Sequence, residues 1–170
     1  MKKIFVLSFV LLSTIITLAQ QNAQLPQKQN SPVVPPFHIL KHDSSGYYTN
    51  NDVKKHQATI MMYFSPECDH CKHQTEDILK DISKFKNIEI IMATYFPLNE
   101  MKDFYDHYKI GSYRNIIMGR DEKYGIPPHY NMHSFPFLAL YDKNGKLVTV
   151  FEGNQKTSTL LDAFTNKKTE

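Results

Sequence analysis

The chain holds two cysteines in 170 residues, and both lie in one stretch, FSPECDHCKHQ, Phe64 to Gln74. Cys68 and Cys71 stand three apart, a spacing that serves a dithiol cycling through a disulfide, half of a metal site, or a small structural loop. The dithiol reading needs an asymmetric pair. One exposed thiolate attacks a disulfide, and one shielded thiol resolves the mixed disulfide. A helix opening at Cys68 supplies that asymmetry. Its first N–H groups and its dipole favour a thiolate and lower the Cys68 pKa, whereas Cys71, one turn on, falls on the apolar stripe. His70 pulls the Cys68 pKa down further, and the like charges of Glu67 and Asp69 raise it. These three residues set the potential without deciding whether the pair reduces or oxidises. The metal reading gathers Cys68, Cys71 and the distant His133 as soft and imidazole ligands for copper or zinc, with His70 and His73 near the pair.

Either chemistry needs a strand to end and a helix to begin at the motif. ATIMMYF, residues 58–64, is a continuous apolar run of strand length, which suits a strand covered on both faces. After Pro66 the period changes: Cys71, Thr75, Ile78, Ile82 and Phe85, with Leu79 beside them, line one side of a single expected helix. NIEIIMA, residues 87–93, is a second buried strand, and Leu98, Met101, Phe104, Tyr105 and Tyr108 recur at helical spacing. RNIIMG reads as a further short strand. FHILK and GYYTN flank the turn-rich HDSSG and predict a hairpin. FPFLALYDKNGKLVTVFEG predicts a strand, an Asn144-Gly145 turn and a return strand, and Leu160, Leu161 and Phe164 a short closing helix. This order describes a mixed sheet with helices on both faces and right-handed crossovers. It places Cys68 at the carboxyl end of a central strand, where α/β folds keep their sites. Met61 and Met62 read as packing residues within a buried strand.

MKKIFVLSFVLLSTIITLAQ opens the chain with Lys2 and Lys3, an apolar run and a small residue at the exit, the pattern of a secretory signal peptide over residues 1–19. The run is shorter than the roughly 20 apolar residues that span a bilayer. Residues 20–36 are rich in Gln, Asn and Pro and read as a flexible linker, with the domain occupying 37–170. Without Lys2 and Lys3 the 20 basic residues fall to 18 against 17 acidic, a net charge of about +1. Such a balance, with no basic block and no Gly-rich phosphate loop, gives no sign of a nucleic-acid partner. Export to the periplasm or the extracellular space allows disulfides to persist, and a membrane enters only if the leader stays uncleaved as an anchor.

The motif, the strand before it and the later segment YGIPPHYNMHSFPFLALYDKNGKLVTVFEG together resemble exported thioredoxin-like proteins of the TlpA/ResA kind, over about Pro36 to Phe164. The resemblance implies a thioredoxin fold, a central mixed β-sheet flanked by helices, with an N-terminal hairpin and a central insertion at about Phe96 to Tyr130. It implies that Cys68 is the nucleophile, that Pro136 is a cis-proline facing the dithiol, and that the backbone of Phe135 pairs with the substrate chain. The activity it implies is thiol–disulfide exchange with a protein substrate, plus a second redox protein that resets the pair and no organic cofactor beyond the Cys68–Cys71 disulfide. The sequence departs from that pattern in three places. Glu67 replaces an aromatic residue, Asp69-His70 replaces Gly-Pro, and Met62 stands where thioredoxins carry a buried carboxylate. YNMHSF also looks like the distal-histidine segment of Sco-type copper chaperones, whose cysteines are one residue further apart. A copper metallochaperone using Cys68, Cys71 and His133, and a binding module with an inert disulfide, are therefore the other readings.

Overall fold

A computed structural model describes residues 33–165. The signal-peptide reading of 1–19, most of the linker and the last five residues lie outside them. Seven strands form one mixed sheet: β1 (His38–Lys41), β2 (Tyr47–Thr49), β3 (Ala58–Tyr63), β4 (Ile88–Thr94), β5 (Ile116–Arg120), β6 (Phe137–Tyr141) and β7 (Leu147–Glu152). Three helices accompany them: α1 (Asp69–Lys80), α2 (Leu98–His107) and α3 (Thr157–Thr165). The strand order is β2-β1-β5-β4-β3-β6-β7. Strands β3, β4 and β5 run parallel, and β6 joins β3 antiparallel. Among the described residues no helix is long and apolar enough to cross a membrane.

The strands at 58–63 and 88–94 are central and covered on both sides, so β4 is buried at every position, Glu89 included. Strand alternation then divides the side chains between two cores. Ile60, Met62, Phe64, Ile90, Met92, Leu138 and Leu140 face one of them, and Met61, Tyr63, Ile91, Ala93, Phe137, Ala139 and Tyr141 face the other. All three helices bury their apolar stripes in the first core, through Cys71 and Ile78, Met101 and Phe104, and Leu160. The second core is covered instead by the start of the domain at Val34 and Phe37, by the first hairpin and Val53, and by Ile126, Tyr130 and Met132. Helices on both faces are thus replaced by helices on one face and folded coil on the other. The segment that closes the second face contains Pro127 and Pro128, which allow only a single 3₁₀ turn, Pro127–His129.

Three local expectations need adjustment. The helix after the cysteines does not run through Phe85: α1 stops at Lys80, and Ile82–Phe85 form a separate 3₁₀ turn. The break at Asp81 rotates Phe85 into the core without lengthening the helix past the sheet. Asn144-Gly145 is not a two-residue turn, since only Gly145 has positive φ (74°). The loop is the longer type in which a left-handed glycine follows a tight turn, and Gly145 N–H donates to Asp142 C=O at 2.8 Å. The packed chain also begins before Phe37, because Val33 bridges Lys146 and Pro35 is buried.

Candidate active site

The dithiol is built by the end of β3 and the start of α1. The ladder runs one residue past β3, with Phe64 N–H donating to Ala93 C=O at 3.0 Å. Ser65 and Pro66 then turn the chain, and Cys68 N–H donates to the Ser65 carbonyl at 3.2 Å. Cys68 is the N-cap residue of α1, in extended conformation (φ −76°, ψ 117°). Its carbonyl accepts the N–H groups of Cys71 and Lys72, each at 3.0 Å. Its thiol therefore stands half-buried at the positive end of the helix dipole. Cys71 is fully buried, in the core that holds Met62 and Phe64. Burial pushes the Cys71 thiol well above its ordinary value; a backbone hydrogen bond with Ser65 opposes this, and the neighbouring Cys68 thiol adds to it. Both thiols are free. One sulfur is accessible and the other is sheltered.

Across from them, the loop before β6 brings Phe135 and Pro136 to the motif. The Cys68 thiol points at the Phe135 carbonyl oxygen 3.9 Å away, a long S–H···O contact, and the Phe135–Pro136 peptide bond is cis. Phe135 is half-buried and Pro136 buried. Glu67, Asp69 and His70 are all exposed at the motif surface. Asp69 is held by Lys72, whose Nζ is 3.0 Å from Oδ1, and this pair pulls the carboxyl below its ordinary range. Lys72 is thus a further charged group beside the dithiol, a cation in addition to Glu67, Asp69 and His70. Its i,i+3 spacing from Asp69 was the available signal.

The histidines do not join the cysteines. His133 is exposed, with Nε2 3.2 Å from the Asn131 amide nitrogen, and His73 lies on the exposed side of α1. No three Cys, His, Asp or Glu side chains among the described residues converge as a metal-ligand set, so Cys68, Cys71 and His133 are not brought together.

Several residues at the site went unread in the sequence. Tyr95 and Tyr124, 39% and 51% exposed, meet edge to face at 5.2 Å, and Tyr95 lies 6.5 Å from the Phe135 ring. Asp121 ties down the loop carrying Tyr124 by accepting Gly125 and Ile126 N–H at 2.9 Å and the Tyr63 hydroxyl at 3.2 Å. Gln74, one turn beyond Cys71, is fully buried and exchanges two hydrogen bonds with the Gln155 main chain, at 2.7 and 3.1 Å. Tyr95 directly follows the second central strand, so the carboxyl-end rule that located Cys68 also pointed to it.

The family of thioredoxin-like domains matches residues 50–168. No curated protein matches the chain in sequence. Solved structures similar to it include a secreted disulfide oxidoreductase of Mycobacterium tuberculosis, described as homologous to E. coli DsbE, with TM-score 0.63 and 14% identity over 76% of this chain and 94% of that one. A putative thiol:disulfide interchange protein DsbE from Chlorobium tepidum has TM-score 0.62 and 16% identity over 78% and 95%. A putative protein disulfide isomerase from Bacteroides thetaiotaomicron has TM-score 0.62 and 21% identity over 76% and 84%. At these identities the likeness shows a shared fold.

Proposed function

The chain belongs to the thioredoxin-like domain family, and we propose that within it the protein is an exported thiol–disulfide oxidoreductase of the TlpA/ResA type acting on protein partners. The observation that carries this reading is the asymmetry of the pair. Cys68 is half-exposed at a helix N-terminus, and Cys71 is buried one turn behind it. Similar folds described as disulfide oxidoreductases and interchange proteins support it, one of them described as secreted. The leader-like segment at residues 1–19 agrees with export to the periplasm or beyond.

In the reducing direction the Cys68 thiolate attacks one sulfur of a partner disulfide. A Cys68–partner disulfide forms, and the other partner sulfur leaves as a thiolate. Cys71 then loses its proton and attacks the Cys68 sulfur, which closes the Cys68–Cys71 disulfide and frees the second partner thiol. Two electrons pass from the dithiol to the partner, and the reverse sequence oxidises a partner dithiol. A second redox protein resets the pair. Phe135, whose carbonyl already faces the Cys68 sulfur, offers main-chain hydrogen bonding to the partner strand, with Pro136 behind it. Glu67, Asp69 and His70 tune the potential together with Lys72.

Substituting Cys71→Ser tests the assignment. The variant should accumulate mixed disulfides through Cys68 when exposed to exported proteins, resolved by reductant and absent from Cys68→Ser. A Cys71→Ser protein that captures no species overturns the reading.

A further inference from the structure

A groove of about 520 Å³ opens beside the dithiol, between the turn before α1 and the outer side of α2. Its floor is apolar and rigid. Pro66 and Phe104 are buried, Phe104 packs on Phe64 at 4.8 Å and on Tyr108 at 4.6 Å, and the Tyr108 hydroxyl donates to Glu76 at 3.1 Å. Its rim carries Glu67, Glu100 and Asp103, none of which has an ion-pair partner among the described residues. Two basic side chains also reach it. Lys72 is paired with Asp69, and His107 rests edge-on against Tyr108 at 4.7 Å. Pro66 and Glu67, which line the groove, directly precede Cys68 in the chain, so the groove flanks the reacting residue.

We propose that this groove receives a lysine or arginine lying next to the reacting cysteine of the partner polypeptide, and so selects the protein's redox substrates. The proposal rests on the exchange reaction through Cys68. A long basic side chain matches both parts of the groove. Its methylene stem covers Phe104, its charged head meets the ring face of Tyr108, and the three rim carboxylates surround that head. An acidic neighbour would meet like charge, and a short neutral one would leave the apolar floor wet. Because Glu67 and Asp103 are exposed and Glu100 is half-exposed, their contribution falls mainly on the rate of encounter and declines with salt.

The test uses reduced protein and three symmetric disulfides of acetylated tripeptide amides, X-Cys-X with X = Lys, Gln or Glu. Each rate is divided by that peptide's own rate with dithiothreitol, and hydroxyethyl disulfide serves as a small neutral reference. The Lys peptide should react about tenfold faster than the Glu peptide at low salt, with the Gln peptide between. That preference should collapse in about 0.5 M salt and in the double variant Glu100→Gln/Asp103→Asn. The double variant Asp77→Asn/Asp162→Asn, which removes the same charge away from the groove, should keep it. Equal rates for the three peptides, or a preference that survives Glu100→Gln/Asp103→Asn, overturn the groove and leave the exchange reaction standing. Failure of every disulfide to react, hydroxyethyl disulfide included, sinks both.

Discussion

At the scale of single residues the proposed exchange rests on a difference between two sulfurs that are chemically identical in the unfolded chain. Cys68 keeps solvent access at the helix cap, whereas Cys71 has none. Iodoacetamide at neutral pH should therefore modify Cys68 of the reduced native protein at least about tenfold faster than Cys71, and unfolding in urea should equalise the two. Peptide mapping of a time course measures this, and equal native labelling would contradict the burial of Cys71. That Cys68 caps the helix while Cys71 joins its buried stripe was readable from the change of period after Pro66. The electrostatic surroundings were read less completely. Asp69 reads from the sequence as a like charge beside Cys68, and in the fold Lys72 pairs with it. Met62 was read as a packing residue in place of a carboxylate, and the structure places it, fully buried, in the same core as Cys71.

At the scale of elements, the site depends on α1 holding its position over the end of β3. Packing of Ile78 and Cys71 supplies part of that hold, and a polar clamp supplies another. Gln74 receives Gln155 N–H and donates to Gln155 C=O, which fastens α1 to the β7–α3 connection. Both Gln74→Ala and the closer-volume Gln74→Met leave those main-chain groups without partners. Each should lower unfolding free energy by about 1–3 kcal/mol in urea titration. A loss with Gln74→Ala but none with Gln74→Met would assign the effect to packing and discard the clamp. Nothing local in the sequence distinguishes Gln74 from an exposed glutamine, because its partner lies 81 residues on. The strands, by contrast, were legible nearly to the residue, since continuous apolar runs bounded by polar turns have few other outcomes. The helix end at Asp81 was not, because Ile82 and Phe85 continue the helical spacing into a 3₁₀ turn.

At the scale of the whole molecule, one consequence follows from the tyrosines buried in the core opposite the helices. Burial pushes the Tyr141 hydroxyl up to about 12 from an ordinary value of 10.0, and burial raises Tyr48, Tyr63 and Tyr130 further. The folded state thus retains phenolic protons that the unfolded chain releases above about pH 10. Below that pH neither state is ionised and stability is unaffected by these groups. As pH rises the unfolded chain binds fewer protons than the native one, so stability falls. Urea midpoints should stay level from pH 7 to about 9 and drop steeply towards pH 11. A midpoint unchanged at pH 11 would show that these hydroxyls ionise freely in the native state. The same packing makes the molecule lopsided. One face of the sheet is closed by helices and the other by coil, and Phe135, which faces Cys68, joins Tyr95 and Tyr124 in a ring cluster.

The sequence by itself determined the strands, the existence of the three helices, the capping position of Cys68 and the spacing of the two cysteines, because each depends on residues close together in the chain. Periodicity, a proline and two cysteines three apart act over one or two helical turns. Only the tertiary structure decided which side chains meet across distance. It set Phe135 against Cys68, turned His133 away from the cysteines, clamped Gln74 to Gln155, and moved all three helices to one face of the sheet. It also formed the acid-rimmed groove from α1 and α2. Those outcomes depend on how seven strands are ordered, and strand order is set by the packing of both faces at once rather than by any single segment.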